Sequence, residues 1–197
     1  MLKQILSLVA ILVAMTFVNG CSQSDGYSTS VDKDVEVIHG YTLPPEPDPV
    51  LNNATILGID SNNNGVRDDV EIWILKKFKD EHKVYTEVFM QAARATQKVL
   101  ENPQNANEVM KYENAAVDCE VFYQLYAEKY GEKILMDGRY SITDEVFDKK
   151  LLNTLMRKEA YNNYLNLLSG KMYNTKSSGK LKEQCDFNTT AISEQLK

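Results

Sequence analysis

Between Val70 and Leu168 apolar residues recur at intervals of three and four, and that spacing confines the chain to helices packed against one another. Residues three and four apart share one face of an α-helix, so each such run defines one buried stripe. Val70, Trp73, Ile74 and Phe78 place the first helix over residues 69–80. Val84, Val88, Ala92, Ala95 and Val99 mark a second, ended by Asn102-Pro103, and its alanines permit close helix contact. Asn107 is a suitable N-cap for a third, longer helix with Val109, Tyr112, Ala116, Cys119, Tyr123, Tyr126 and Tyr130 on one stripe. Gly131 and Asp137-Gly138 then break the pattern. Residues 141–144 begin a fourth helix, which carries Phe147, Leu151, Leu155, Tyr161, Tyr164, Leu165 and Leu168 on its apolar face and stops at Ser169-Gly170. No segment alternates as a strand would. The expected fold is all-α, an irregular helical bundle of about four main helices.

The chain ahead of this body is different. Residues 21–42 are polar and lack apolar periodicity, as a flexible tether does. Leu43-Pro44-Pro45-Glu46-Pro47-Asp48-Pro49 places four prolines in six positions and predicts an extended lead-in. About 150 residues follow, the usual size of a single core, so residues 43–197 are expected to form one helical domain.

Residues 1–20 have a basic start at Lys3, an almost unbroken apolar run from Ile5 to Val18, and Val18-Asn19-Gly20 directly before Cys21. This resembles a bacterial lipoprotein signal peptide with its lipobox. The resemblance implies that Cys21 receives a diacylglycerol, that residues 1–20 are removed, and that the new amino terminus is acylated. It places the protein in the bacterial cell envelope, held to the membrane by a lipid anchor at Cys21. Ser22, with no Asp in that position, resembles lipoproteins sent to the outer membrane, facing the periplasm or the cell surface. An ordinary cleaved secretory signal is the alternative reading. The apolar run of about 14 residues is shorter than the roughly 20 a membrane-spanning helix needs.

In an exported protein with Cys21 lipidated, Cys119 and Cys185 are the remaining thiols, and an even pair most simply forms one disulfide. Metal binding by the pair is the alternative, without the CxxC spacing or a nearby histidine that would support it. Removal of Lys3 leaves 21 of 22 basic residues against 28 acidic ones, a net charge of −7. That balance argues against a nucleic-acid partner.

The stretch Asp60-Ser61-Asn62-Asn63-Asn64-Gly65-Val66-Arg67-Asp68-Asp69-Val70-Glu71 has oxygen-bearing side chains at positions 1, 3, 5, 9 and 12 and a glycine at 6. Calcium takes six to eight oxygens, so alternate side chains must converge while the backbone curls. Asp60, Asn62, Asn64, Asp68 and Glu71 are the candidate side-chain ligands and Val66 the candidate carbonyl ligand. The stretch resembles EF-hand loops and, more closely, the calcium loops of thrombospondin type 3 repeats and related bacterial exported proteins. An EF-hand normally has an aliphatic residue at position 8, where this chain has Arg67, and no amphipathic helix leads into the loop. Three carboxylates imply affinity in the roughly 10⁻⁴ to 10⁻³ M range of extracellular modules. The alternative is an asparagine-rich turn capping a helix with no ion.

His39 and His82 read as solvated. Tyr123, Tyr126 and Tyr130 could line a sugar or peptide groove, although such spacing is commonly core edge. Asp118 with Glu120, and Asp144 with Glu145, lie too close along a helix to converge as acid and base. No GxSxG, P-loop or HExxH pattern is present. The expectation is a lipid-anchored, non-enzymatic binding or scaffolding module with one structural Ca²⁺ and an envelope protein or glycan as partner. A calcium-dependent envelope hydrolase and a periplasmic inhibitor or chaperone are the alternatives. The lead-in, loop and helical body together resemble exported Gram-negative proteins, which adds location and no activity.

Overall fold

A computed structural model describes residues 36–171 and 176–194. The signal segment, Cys21 and residues 22–35 of the expected tether lie outside the described residues. The fold is all-α, with a two-stranded hairpin, β1 (Val37–Ile38) and β2 (Tyr41–Thr42), ahead of the helices. The strands are antiparallel with Ile38 opposite Tyr41. His39 turns the corner in the left-handed region at φ 55° beside Gly40. Residues 36–42, read above as the end of the tether, thus belong to the folded body. Ile38 is buried, His39 Nδ1 lies 2.8 Å from Thr86 Oγ1, and Tyr41 donates its hydroxyl to Glu87 at 2.6 Å. His39 is partly buried there rather than solvated, and His82 accepts the Val84 N–H through Nδ1 as the cap of the second long helix.

The proline lead-in ends in a short helix, α1 (Pro49–Ala54), where extended chain was expected throughout. Proline at the first helical position loses no hydrogen bond, and Asp48 caps the turn by accepting from the Val50 and Leu51 N–H groups. The main helices follow: α2 (Asp68–Phe78), α3 (Lys83–Glu101) and α4 (Ala106–Val121). Next come α5 (Glu145–Leu151), α6 (Leu155–Leu167) and the short α7 (Thr189–Glu194). Helix α3 is the axis, packing against α2, α4 and α6. The main core joins Val70, Ile74 and Phe78 of α2 to Val88, Phe89 and Ala92 of α3 and to Ala116 and Cys119 of α4. Phe78 is fully buried with its ring centroid 4.6 Å from that of Phe89 and 5.2 Å from that of Tyr140.

Two of the four expected helices are interrupted. The third gives way after Val121 to a π-turn over Phe122–Tyr126, closed by the Ala127 N–H on the Phe122 carbonyl, and then to a 3₁₀ turn at Glu128–Tyr130. The extra residue shifts the stripe, so Phe122, Tyr123 and Ala127 are buried while Tyr130 is 45% exposed. Tyr123 is fully enclosed and does not share a groove with Tyr126 and Tyr130; Tyr112, placed on the same stripe, is also exposed. The fourth splits at Leu152–Thr154 into α5 and α6, and Leu155 faces solvent.

Cys119 of α4 and Cys185 form the expected disulfide, with Cα atoms 5.0 Å apart and a sequence separation of 66. It fastens the C-terminal segment to α4. Replacing both cysteines with serine is expected to lower folding stability by about 4 kcal/mol on the chain-entropy estimate for a loop of this length. Denaturant unfolding should show this, and reductant should shift the midpoint of the native chain but not of the double variant.

Candidate metal centre

The loop before α2 is wound around carboxylates. Asp60 accepts the Asn64 N–H at 3.2 Å through Oδ1 and the Gly65 N–H at 2.8 Å through Oδ2. Asn62 Oδ1 also accepts from the Asn64 N–H, and Asn64 Oδ1 accepts from the Val66 N–H at 2.9 Å. The backbone makes this curl with positive φ at Asn63 (56°) and Gly65 (82°), conformations that asparagine and glycine tolerate best. Asp68, at the start of α2, reaches back to take the Ser61 N–H at 3.0 Å. Glu71, one turn on, accepts the side-chain amides of Asn62 and Asn64 at 3.0 and 2.8 Å through a single oxygen, Oε2. The five side chains singled out by spacing therefore all take part in the hydrogen bonds of one turn. Val66, the sixth, buries its side chain completely in the main core and so anchors the C-terminal half of the loop.

Two oxygens in this arrangement have no hydrogen-bond partner: Asp68 Oδ2 and Glu71 Oε1, both inaccessible to solvent. Their residues are 1% and 0% exposed. A buried carboxylate oxygen left without a donor is costly. The electrostatics agree, since burial raises the Glu71 carboxyl above its ordinary value and the charges of Asp68 and Asp60 push it further, against the two asparagine amides. Three carboxylates and two amide oxygens, with no thiol or imidazole among them, are a donor set for a hard cation such as Ca²⁺. Among the described residues no group of three or more His, Cys, Asp or Glu is gathered as a ready metal cage. In the loop the asparagine amides donate to Glu71 and the backbone donates to Asp60, so a cation would compete with these donors.

Spacing gave no hint of the two arginines that hold the loop in place. Arg67, at the position where an aliphatic residue was expected, is 1% exposed and Arg157 of α6 is 0% exposed. Arg67 pairs with Asp69 at 2.5 Å and donates to the Lys150 and Leu151 carbonyls at 2.7 and 3.1 Å. Arg157 donates to the carbonyls of Asn52, Thr55 and Ile56 at 2.7, 3.1 and 2.9 Å. It thereby caps the C-terminus of α1, whose last carbonyls have no helical partner. Both guanidiniums also bond Asn153 Oδ1. Burial, and after it the Arg67 charge, lower Arg157 to about 10, which leaves it protonated at neutral pH.

Comparison with protein-family models, with curated proteins and with solved structures gives no match. The reading of this centre therefore rests on its geometry.

Gly58 lies between the arginines with φ at 72°, and a Cβ there would stand 2.3 Å from Arg67 Cδ, 2.6 Å from Asn52 Oδ1 and 2.9 Å from Arg157 Nη2. Gly58→Ala is expected to cost more than about 2 kcal/mol, from positive φ and overpacking together. Thermal unfolding of this variant should show the loss, while Gly138→Ala, in open space at ordinary φ, should stay close to the native protein.

Proposed function

We propose that this chain is a lipid-anchored protein of the bacterial envelope whose helical domain carries one structural Ca²⁺ in the loop from Asp60 to Glu71. It serves as a binding or scaffolding module for an envelope protein or glycan. The observation that carries the calcium reading is the pair of buried, donorless oxygens on Asp68 and Glu71 beside Asp60. Charge supports it. Asp60, Asp68 and Glu71 bring three negative charges to the loop, and the arginines beside it are paired elsewhere, Arg67 with Asp69 and Arg94 with Asp186. When bound, Ca²⁺ supplies the charge that lets these carboxylates ionise together in a buried site. The chain's own residues then tie the lead-in to α2, because Asp60 precedes the loop's turn and Glu71 lies in the first turns of that helix. Magnesium, with its octahedral demand, suits such a loop less well.

The location rests on the lipobox resemblance at residues 18–21. Among the described residues no helix is long and apolar enough to cross a membrane. Acyl chains on Cys21 are the proposed attachment, and more than one chain is needed for a stable anchor. Cys21→Ser is expected to release the protein from the membrane fraction; an unchanged distribution would remove the anchor from the proposal.

Calcium titration of residues 22–197 by calorimetry, with melting at each calcium level, tests the site. Trp73, the single tryptophan, is two positions beyond Glu71 and gives an independent optical signal. Saturable binding is expected, stabilising by about 1.4 kcal/mol at ten times the dissociation constant, and Asp60→Ala should abolish it. Glu71→Gln should do so as well while raising metal-free stability. The raised Glu71 carboxyl gives the sign: without metal its contribution is present at low pH and is lost as pH rises through the folded value. Calcium affinity should rise over the same interval. No binding at several millimolar calcium would reduce the loop to a helix cap.

A further inference from the structure

Helices α3, α4 and α6 meet at a second, smaller apolar cluster of Val99, Ala106, Val109 and Tyr164, away from the main core. Glu113 of α4 points into this junction. Its Oε1 accepts from the Thr96 hydroxyl of α3 and its Oε2 from the Tyr161 hydroxyl of α6, each at 3.2 Å. A cleft of about 210 Å³ opens beside it, walled by Met110, Val117, Tyr164 and Leu168, with Lys171 at the rim.

The groups facing Glu113 are two hydroxyls, the Tyr161 and Tyr164 rings of α6 and a second carboxylate, Asp148 of α5. Among the described residues no cation pairs with it, and the Lys171 ammonium donates instead to Asn107 Oδ1. Burial raises the Glu113 carboxyl to about 7, with the Asp148 charge acting in the same direction and the two hydroxyls opposing. A largely buried carboxylate with hydroxyl donors but no positive partner is stabilised when a cation enters beside it.

We propose that the cleft between α4 and α6 binds a small organic ammonium ion, with its charge on Glu113 and its apolar substituent against Met110, Val117 and Leu168. An anion would meet the carboxylate unfavourably, and tyrosine rings favour a cation. The volume is below the roughly 300 Å³ at which pockets for drug-sized ligands begin, so the occupant is a single ring or short chain. Lys171 at the rim disfavours a second positive charge, so the ligand is a monoamine rather than a polyamine.

The site is tested by calorimetric titration of the signal-free protein with phenethylammonium, using 2-phenylethanol as the neutral control. Saturable binding by the amine alone is expected. Because the ammonium selects ionised Glu113, binding at pH 6 should be about tenfold weaker than at pH 8, with proton release visible in buffers of different ionisation heat. Glu113→Gln keeps one acceptor and presents its NH2 group to the other hydroxyl oxygen, which can accept, so the variant should fold but lose both binding and proton release. Val117→Phe, one turn along α4 from Glu113, fills the cleft while leaving the carboxylate in place and should block binding as well. Equal binding of the alcohol, retention in Glu113→Gln, or no saturable heat at tens of millimolar amine would overturn the proposal.

Discussion

The arrangement depends on two buried guanidiniums meeting over Asn153. Removing charged groups from water is expensive, and a guanidinium offers five donors, so the enclosure persists only where acceptors surround it. Arg67 finds them in Asp69 and the last carbonyls of α5; Arg157 finds them in the carbonyls that end α1. Two segments about 100 residues apart in sequence are thereby fixed against each other. The lead-in gains a docking point it could not make from apolar contact, since Val50 and Leu51 of α1 face solvent.

The same pair sets the conditions for the loop. Arg67 directly precedes α2, so enclosing it fixes where that helix begins and brings Asp68 and Glu71 under the curl that starts at Asp60. Acidic residues in the first turn favour an α-helix through its dipole, which helps Asp68, Asp69 and Glu71 to occupy that end. The dipole does not supply a donor for every oxygen. Asp68 Oδ2 and Glu71 Oε1 retain an unmet demand, and a divalent cation is the proposed answer. Glu113 presents a milder form of the same condition, a carboxylate drawn into an apolar junction with hydroxyls for company.

Local pattern carried well where side-chain chemistry is local. The apolar spacing from Val84 to Val99 locates α3 within its observed limits because one face of that helix is buried along its length. The twelve-residue loop was legible because Asp60, Asn62, Asn64 and Gly65 bond one another within a few positions. The split between α5 and α6 was not, because part of its cause lies far away in sequence: Arg67 takes the Lys150 and Leu151 carbonyls, after which Thr154 accepts the Arg157 N–H and starts a new helix. The π-turn at Phe122–Tyr126 was hidden for a similar reason, since the Tyr123 carbonyl turns to receive the Met136 N–H.

The sequence alone determined that the chain would be helical, where its longest helices lie, that Cys119 faces inward, and that residues 60–71 would curl into a turn. These follow from repeats of three and four residues and from turn chemistry that reaches only a few positions. Tertiary structure decided that Arg67 and Arg157 are enclosed, that Gly58 has no room for a side chain, that the hairpin at 37–42 docks on α3, and that Glu113 stands at a cleft. Each of these depends on which distant carbonyl, hydroxyl or ring is brought alongside, and a charged side chain carries the same symbol in the sequence whether water or protein surrounds it.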